Sequence, residues 1–188
     1  VVTASDSILL GDATDSGNTK RDTVQGLLDL VPAAGFTQGT EQATESGTSF
    51  TFGSIPTGVQ FIVVNFFGAS FGSATDLEVT LGDSGGLETS GYVASSMVVE
   101  ANNSQSVVTS TAEFVVNGTS GSDTMTGSLT LALEDSANFT WISSHSVTCM
   151  GTAVAFGGGS KSLSGELTQI GITSDNAFDA GAINIMYI

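Results

Sequence analysis

The sequence predicts an all-β protein: an antiparallel β-sandwich or jelly roll preceded by a short strand–helix segment. Three observations carry this. From residue 48 onward, apolar residues recur with period two. The segments so patterned are separated by turn chemistry built on Gly, Pro, Asn and Asp. Only 12% of the 188 residues are charged, so the polar surface must come from hydroxyls, amides and backbone, as in a protein of short strands and many turns.

Residues 1–35 form a connector of their own. "SILLGDA" (7–13) reads as a short apolar strand, and "DATDSGNTK" as a turn. "RDTVQGLLDLV" (21–31) spaces Val24, Leu27, Leu28 and Val31 at i, i+3, i+4 and i+7, one face of a helix of about three turns. Asp22 is its expected N-cap, and Pro32 stops it. An isolated helix this short is marginal in water, and Gly26 weakens it further. Its stripe therefore needs a partner, in this chain or in another copy of it.

Residues 36–47, "FTQGTEQATESG", read as a linker or a loosely held edge strand. The sandwich is expected over 48–188. Phe50 and Phe52 alternate, and residues 58–70 are apolar on both faces, as a central strand should be. Leu77, Val79 and Leu81 share a face, as do Leu129, Leu131 and Leu133, and then Phe139 and Trp141. Residues 106–116 form a β-branched run, and 162–174 and 180–188 close the chain. Turns are expected at Pro56–Gly58, Gly82–Gly86, Asn117–Gly118 and Gly157–Gly159. The total is roughly eight to ten strands.

Charge excludes several partners. The formal net charge is −16, and Lys20, Arg21 and Lys161 are the only Lys and Arg residues. Nucleic-acid affinity needs clustered cations, so nucleic acid is not an expected partner. No apolar run is long enough to cross a membrane as a helix, and no insertion is expected. Cys149 is the single cysteine, which rules out an intrachain disulfide and a thiolate zinc site from one chain. Val1 is followed by no signal-peptide pattern, and the missing initiator Met suggests a processed chain or a fragment.

"GDSGG" at 82–86 copies the string around the nucleophile of chymotrypsin-like serine proteases. Acyl transfer by Ser84 needs a base and a group to orient it. His145 is the only histidine, and none precedes Ser84. The string instead suits a tight turn: Asp and Ser at a bend, Gly free to take positive φ. No catalytic residue and no cofactor is therefore expected. A lone histidine is usually a packed or surface residue, although three copies on a threefold axis could present three imidazoles to a metal. Asp12, Asp15 and Asn18 lack EF-hand spacing, and the pairs Glu134/Asp135 and Asp175/Asp179 suit solvated turns better than calcium sites. Asn102, Asn117 and Asn138 head glycosylation-type triplets, which arise by chance in a Ser/Thr-rich chain.

"SDSILLGDATDSGNTKRDTVQGLLDLV" resembles a recurring segment of bacteriophage tail fibres. "LEVTLGDSGGLETSGY", "GSLTLALEDSANFTW", "GGGSKSLSGELTQIGIT" and "NAFDAGAINIMYI" resemble the distal β-domain of predicted marine-phage fibre proteins. The resemblance implies a non-enzymatic, virion-borne adhesin: a homotrimer, with Val24, Leu27, Leu28 and Val31 as its candidate interface, joined to other tail proteins, extracellular, touching a host surface glycan or protein. A structural virion protein, such as a head-decoration protein or fibre connector, is the alternative expectation. A polysaccharide hydrolase is the third. Contact is expected in loops near 82–91, 101–105, 117–124 and 157–161, with Asn102, Asn103, Gln105, Asn117 and Asp123 as candidate residues.

Overall fold

A computed structural model of the chain describes residues 3–11, 19–28, 35–118, 124–149 and 152–188. The chain divides into two units, Val1–Gly35 and Phe36–Ile188. In the first, β1 (Ser7–Gly11) and β2 (Thr19–Thr23) pair antiparallel, with Ser7 opposite Thr23. Helix α1 follows over Val24–Leu28. It starts one residue later than the sequence suggests, because Arg21–Thr23 satisfy their backbone groups in the hairpin. The cap is Thr23 rather than Asp22: its hydroxyl accepts the Gly26 N–H at 2.9 Å. Val24 is half-buried and Leu27 exposed. Val31 and the side chain of Leu28 lie outside the described residues.

The second unit contains fourteen described strands in chain order. They are β3 (Thr37–Gln38), β4 (Gln42–Ala43), β5 (Ser49–Phe52), β6 (Phe61–Phe71), β7 (Leu77–Asp83), β8 (Gly86–Leu87) and β9 (Tyr92–Glu100). Then come β10 (Gln105–Ser110), β11 (Phe114–Val116), β12 (Met125–Asp135), β13 (Thr140–Cys149), β14 (Ala153–Ser162), β15 (Gln169–Thr173) and β16 (Phe178–Tyr187). All pairings are antiparallel. Nine strands form a large sheet ordered β10-β9-β14-β13-β12-β6-β16, with β3 and β4 both on β16. Five form a small sheet ordered β11-β7-β15-β5, with β8 on β7.

The small sheet covers one face of the large one. Leu77, Val79, Leu81, Ile170 and Ile172 of the small sheet are fully buried in one core with Ile62, Val64, Leu129, Leu131 and Trp141 of the large sheet. Alternation explains the choice of face: a strand's odd and even residues point oppositely, and the apolar set goes inward. Tyr92 ties the layers at one end. Its hydroxyl accepts the Leu81 N–H at 2.7 Å, and its ring meets Phe114 edge-on at 5.0 Å. Phe50, Phe71 and Phe178 do the same work across β5, β6 and β16.

Two segments depart from the sequence reading, and a third takes one of its two expected forms. Residues 36–47 are edge strands rather than a linker, since β3 and β4 extend the edge of the large sheet. The run 106–116 is two strands in different sheets, β10 and β11, and the chain crosses between layers at 111–113. Gly157–Gly159 is not a turn but the middle of β14. A Cβ at Gly157 would lie 2.1 Å from the Ser95 carbonyl oxygen and 2.8 Å from His145 Cε1. Glycine is needed there because a neighbouring strand and a ring fill the space, not because the chain bends.

Gly157→Ala should therefore destabilise the fold by about 1–3 kcal/mol or more, as overpacking does. Gly53→Ala, where a new Cβ meets nothing within 4 Å, should stay within about 0.5 kcal/mol of the parent. Urea denaturation of both variants checks this, and equal midpoints would refute the packing account.

Candidate functional site

The registers place the strand ends of the second unit at one of two ends. The chain enters this unit where β3 pairs with Met186 and Tyr187 and Phe36 meets Phe61 edge-on at 6.1 Å. The turns at 82–91 and 136–139 share this proximal end. The β9–β10 turn lies at the opposite, distal end, beside Thr152, whose carbonyl accepts the Ala101 N–H at 2.8 Å. The connections after β6 and β11 leave from the same distal end.

The GDSGG string is a turn. It joins β7 to β8, with Gly82 opposite Leu87 and Asp83 opposite Gly86. Asp83 accepts the Gly85 N–H and the Ser164 hydroxyl, both at 2.7 Å, and these bonds hold its carboxyl below the usual range. Ser84 is exposed. Nearby, Lys161 is buried against Glu88, gives a hydrogen bond to the Ser162 carbonyl, and lies over the Tyr92 ring. Burial raises the Tyr92 phenol pKa, and the Lys161 and Ser164 bonds lower that of Glu88 despite its own burial.

His145 belongs to the core. Its Nε2 is 2.8 Å from Ser96 Oγ, and that oxygen also accepts the Asn117 N–H at 3.0 Å. The other ring nitrogen, Nδ1, is buried and has no hydrogen-bond partner. A Ser–His pair with no group to orient the base, and with the serine buried, presents no nucleophile to a substrate. Burial also removes His145 from any threefold-axis metal site. Among the described residues, no group of three His, Cys, Asp or Glu side chains could hold a metal ion.

The distal end holds the exposed amide hairpin of β9 and β10. Asn102 Oδ1 accepts the Ser104 N–H at 2.7 Å, and Asn103 takes the left-handed conformation at φ 67°, which Asn tolerates. Asn102, Asn103 and Gln105 are exposed. Asn117 is not a contact residue: it is buried, and its Nδ2 donates to the Ser106 carbonyl at 3.2 Å. Asp123 lies outside the described residues. Below the hairpin, an open groove of about 370 Å³ is lined by Asp76, Glu78, Ser106, Gly118, Asp175 and Asn176 among others. Asp76 accepts the Gly118 N–H at 2.9 Å, and Glu78 the Thr173 hydroxyl at 2.9 Å. Both carboxyls are nonetheless raised, first by burial and then by neighbouring charges, Asp175 among them. Composition alone did not reveal this groove, because its acids come from β7 and from the connections before β7 and after β15.

No protein-family model, no curated protein and no solved structure matches this chain. The site must be judged by its own chemistry: a small uncharged amide- and hydroxyl-rich hairpin above an acidic groove.

Two titrations follow. Burial pushes the His145 imidazole down to about 4. A lowered pKa means its contribution to stability is complete above pH 6.5 and lost as pH falls towards 4. Its ring resonances should stay unshifted from pH 8 to 5, and a midpoint near 6.5 would refute the buried pair. The raised carboxyls act oppositely: what they contribute is present in acid and lost as pH rises through their folded pKa. Asp76→Asn, which can keep the acceptor for Gly118, should raise stability at pH 7 by about 0.5–1 kcal/mol, or roughly 2–3 °C. The gain should vanish in melts near pH 4.

Proposed function

We propose that this chain is a non-enzymatic, receptor-binding domain of a bacteriophage tail fibre. It acts as a homotrimer joined to other tail proteins and meets the host surface through its distal end. The observation that carries this is the separation of the two ends. The chain enters the sandwich at one end, and the exposed Asn102–Asn103–Gln105 hairpin stands at the other. Strands fixed by packing leave the connecting loops free to carry contacts. Neutral amides and hydroxyls suit hydrogen bonding to a polar glycan, and they meet less repulsion from an anionic cell surface than a carboxylate cluster would. The fibre-like segments of the sequence supply the rest of the reading. The exposed Leu27 of α1 supports a partner for the helix stripe.

Replacing residues 101–104 with a Gly/Ser turn should abolish adsorption of the folded protein to host cells while its melting curve stays cooperative. Ser84→Ala should adsorb like the parent. Gold-labelled antibody should decorate tails of intact particles, and capsid labelling would overturn the reading. Divalent cations or salt should promote adsorption by screening the chain's negative charge.

A further inference from the structure

The small sheet leaves the other face of the large sheet open. Four transverse rows of that face, aligned by the registers, carry no charge, and the row beyond them runs Ser162, Thr140, Asp135. One runs Val107, Met97, Phe156, Ser146, Ser128, Asn65, Asn184 across seven strands. The next runs through Ser95, Gly158, Ser144, Thr130 and Val63. The remaining two contain Val93, Ile142 and Phe61, and Val99, Val154 and Thr148. No position in these four rows is Asp, Glu, Lys or Arg, in a chain with nineteen acids. Phe67 is 75% exposed, Val93 71%, Val107 63% and Phe156 45%.

We infer that this face packs against a second copy of the chain. Three observations select that occupant. First, copies that each carry −16 can meet closely only where carboxylates are absent, and these rows exclude them. Second, part of the polar surface of the face is already satisfied inside the sheet: Thr130 and Ser144 bond at 2.8 Å, and Thr148 donates to the Thr126 carbonyl at 3.0 Å. Drying the face leaves these groups paired. Third, seven strands about 4.8 Å apart and four positions about 6.8 Å apart cover roughly 700–900 Å², close to the ~800 Å² per partner of a stable protein interface.

This rests on the sheet and not on the tail-fibre reading, and it places self-association outside α1. The test uses the full chain and light scattering. The parent at 20–100 µM, on the order of a weak-interface working range, should have the mass of two or three chains. Val107→Lys with Phe156→Lys should reduce it to one chain, with self-association about 100-fold weaker or more. Lys lowers the net negative charge, so general repulsion cannot explain dissociation. Ser128→Lys with Ser146→Lys, at partly and fully exposed hydroxyl positions, should do the same and serves if the first pair fails to fold. Val24→Asp with Leu27→Asp should leave the face contact in place. A monomeric parent, or a folded face variant that keeps the parent's mass, overturns the inference. Tail or capsid labelling of particles does not bear on it.

Discussion

One short sheet lies on one face of a long one, and most of the molecule follows from that. The small sheet pairs along only four to seven residues per main strand, whereas β6 and β12 run for eleven. The covered face can be apolar without cost, and it collects Ile62, Val64, Leu129, Leu131 and Trp141. The uncovered face must satisfy water, a partner or both. It does so with hydroxyls that bond one another and with apolar residues grouped towards β9, β10 and β14. The same covering forces glycine at 157, where the His145 ring needs room inside the sandwich.

Charge is distributed by the same logic. Lys161 is the only Lys or Arg in residues 36–188, and it is buried. A buried ammonium is costly without a partner. Glu88, the Ser162 carbonyl and the Tyr92 ring surround it where the β7–β8 turn folds over the end of β14. The acids have no such partners to share, so they go to loops and strand ends. At the distal groove they crowd enough to raise Asp76 and Glu78. The large sheet's open face is what remains when carboxylates are kept at the ends.

Period-two patterning made the class of fold legible, because Leu77, Val79 and Leu81, or Leu129 and Leu131, can share a buried face only on strands. What it could not show was which strand joins which sheet. Residues 105–116 look like one β-branched strand, and only long-range pairing with Val79 and Met97 splits them. Glycine misled at 157–159 and informed at 82–86. The residue type is the same, but one position answers to a neighbouring strand and the other to a bend. The site was half legible. Asn102 and Asn103 announce a turn, whereas the burial of Asn117 depends on Ser96 and Ser106, both distant in sequence.

The Ser96–His145 pair shows why composition and proximity do not make a catalytic centre. A serine hydroxyl bonded to imidazole is the first half of a triad, and here it exists at 2.8 Å. Three features redirect it. Ser96 is buried and its oxygen already accepts the Asn117 N–H, so it is not presented to a substrate. The far nitrogen of the ring has no acceptor, so nothing stabilises an imidazolium. Burial pushes the ring pKa down to about 4, where the neutral form is held throughout the physiological range. The pair instead secures the start of the 117–118 connection to β9, and so the floor of the distal end that the proposed receptor contact requires.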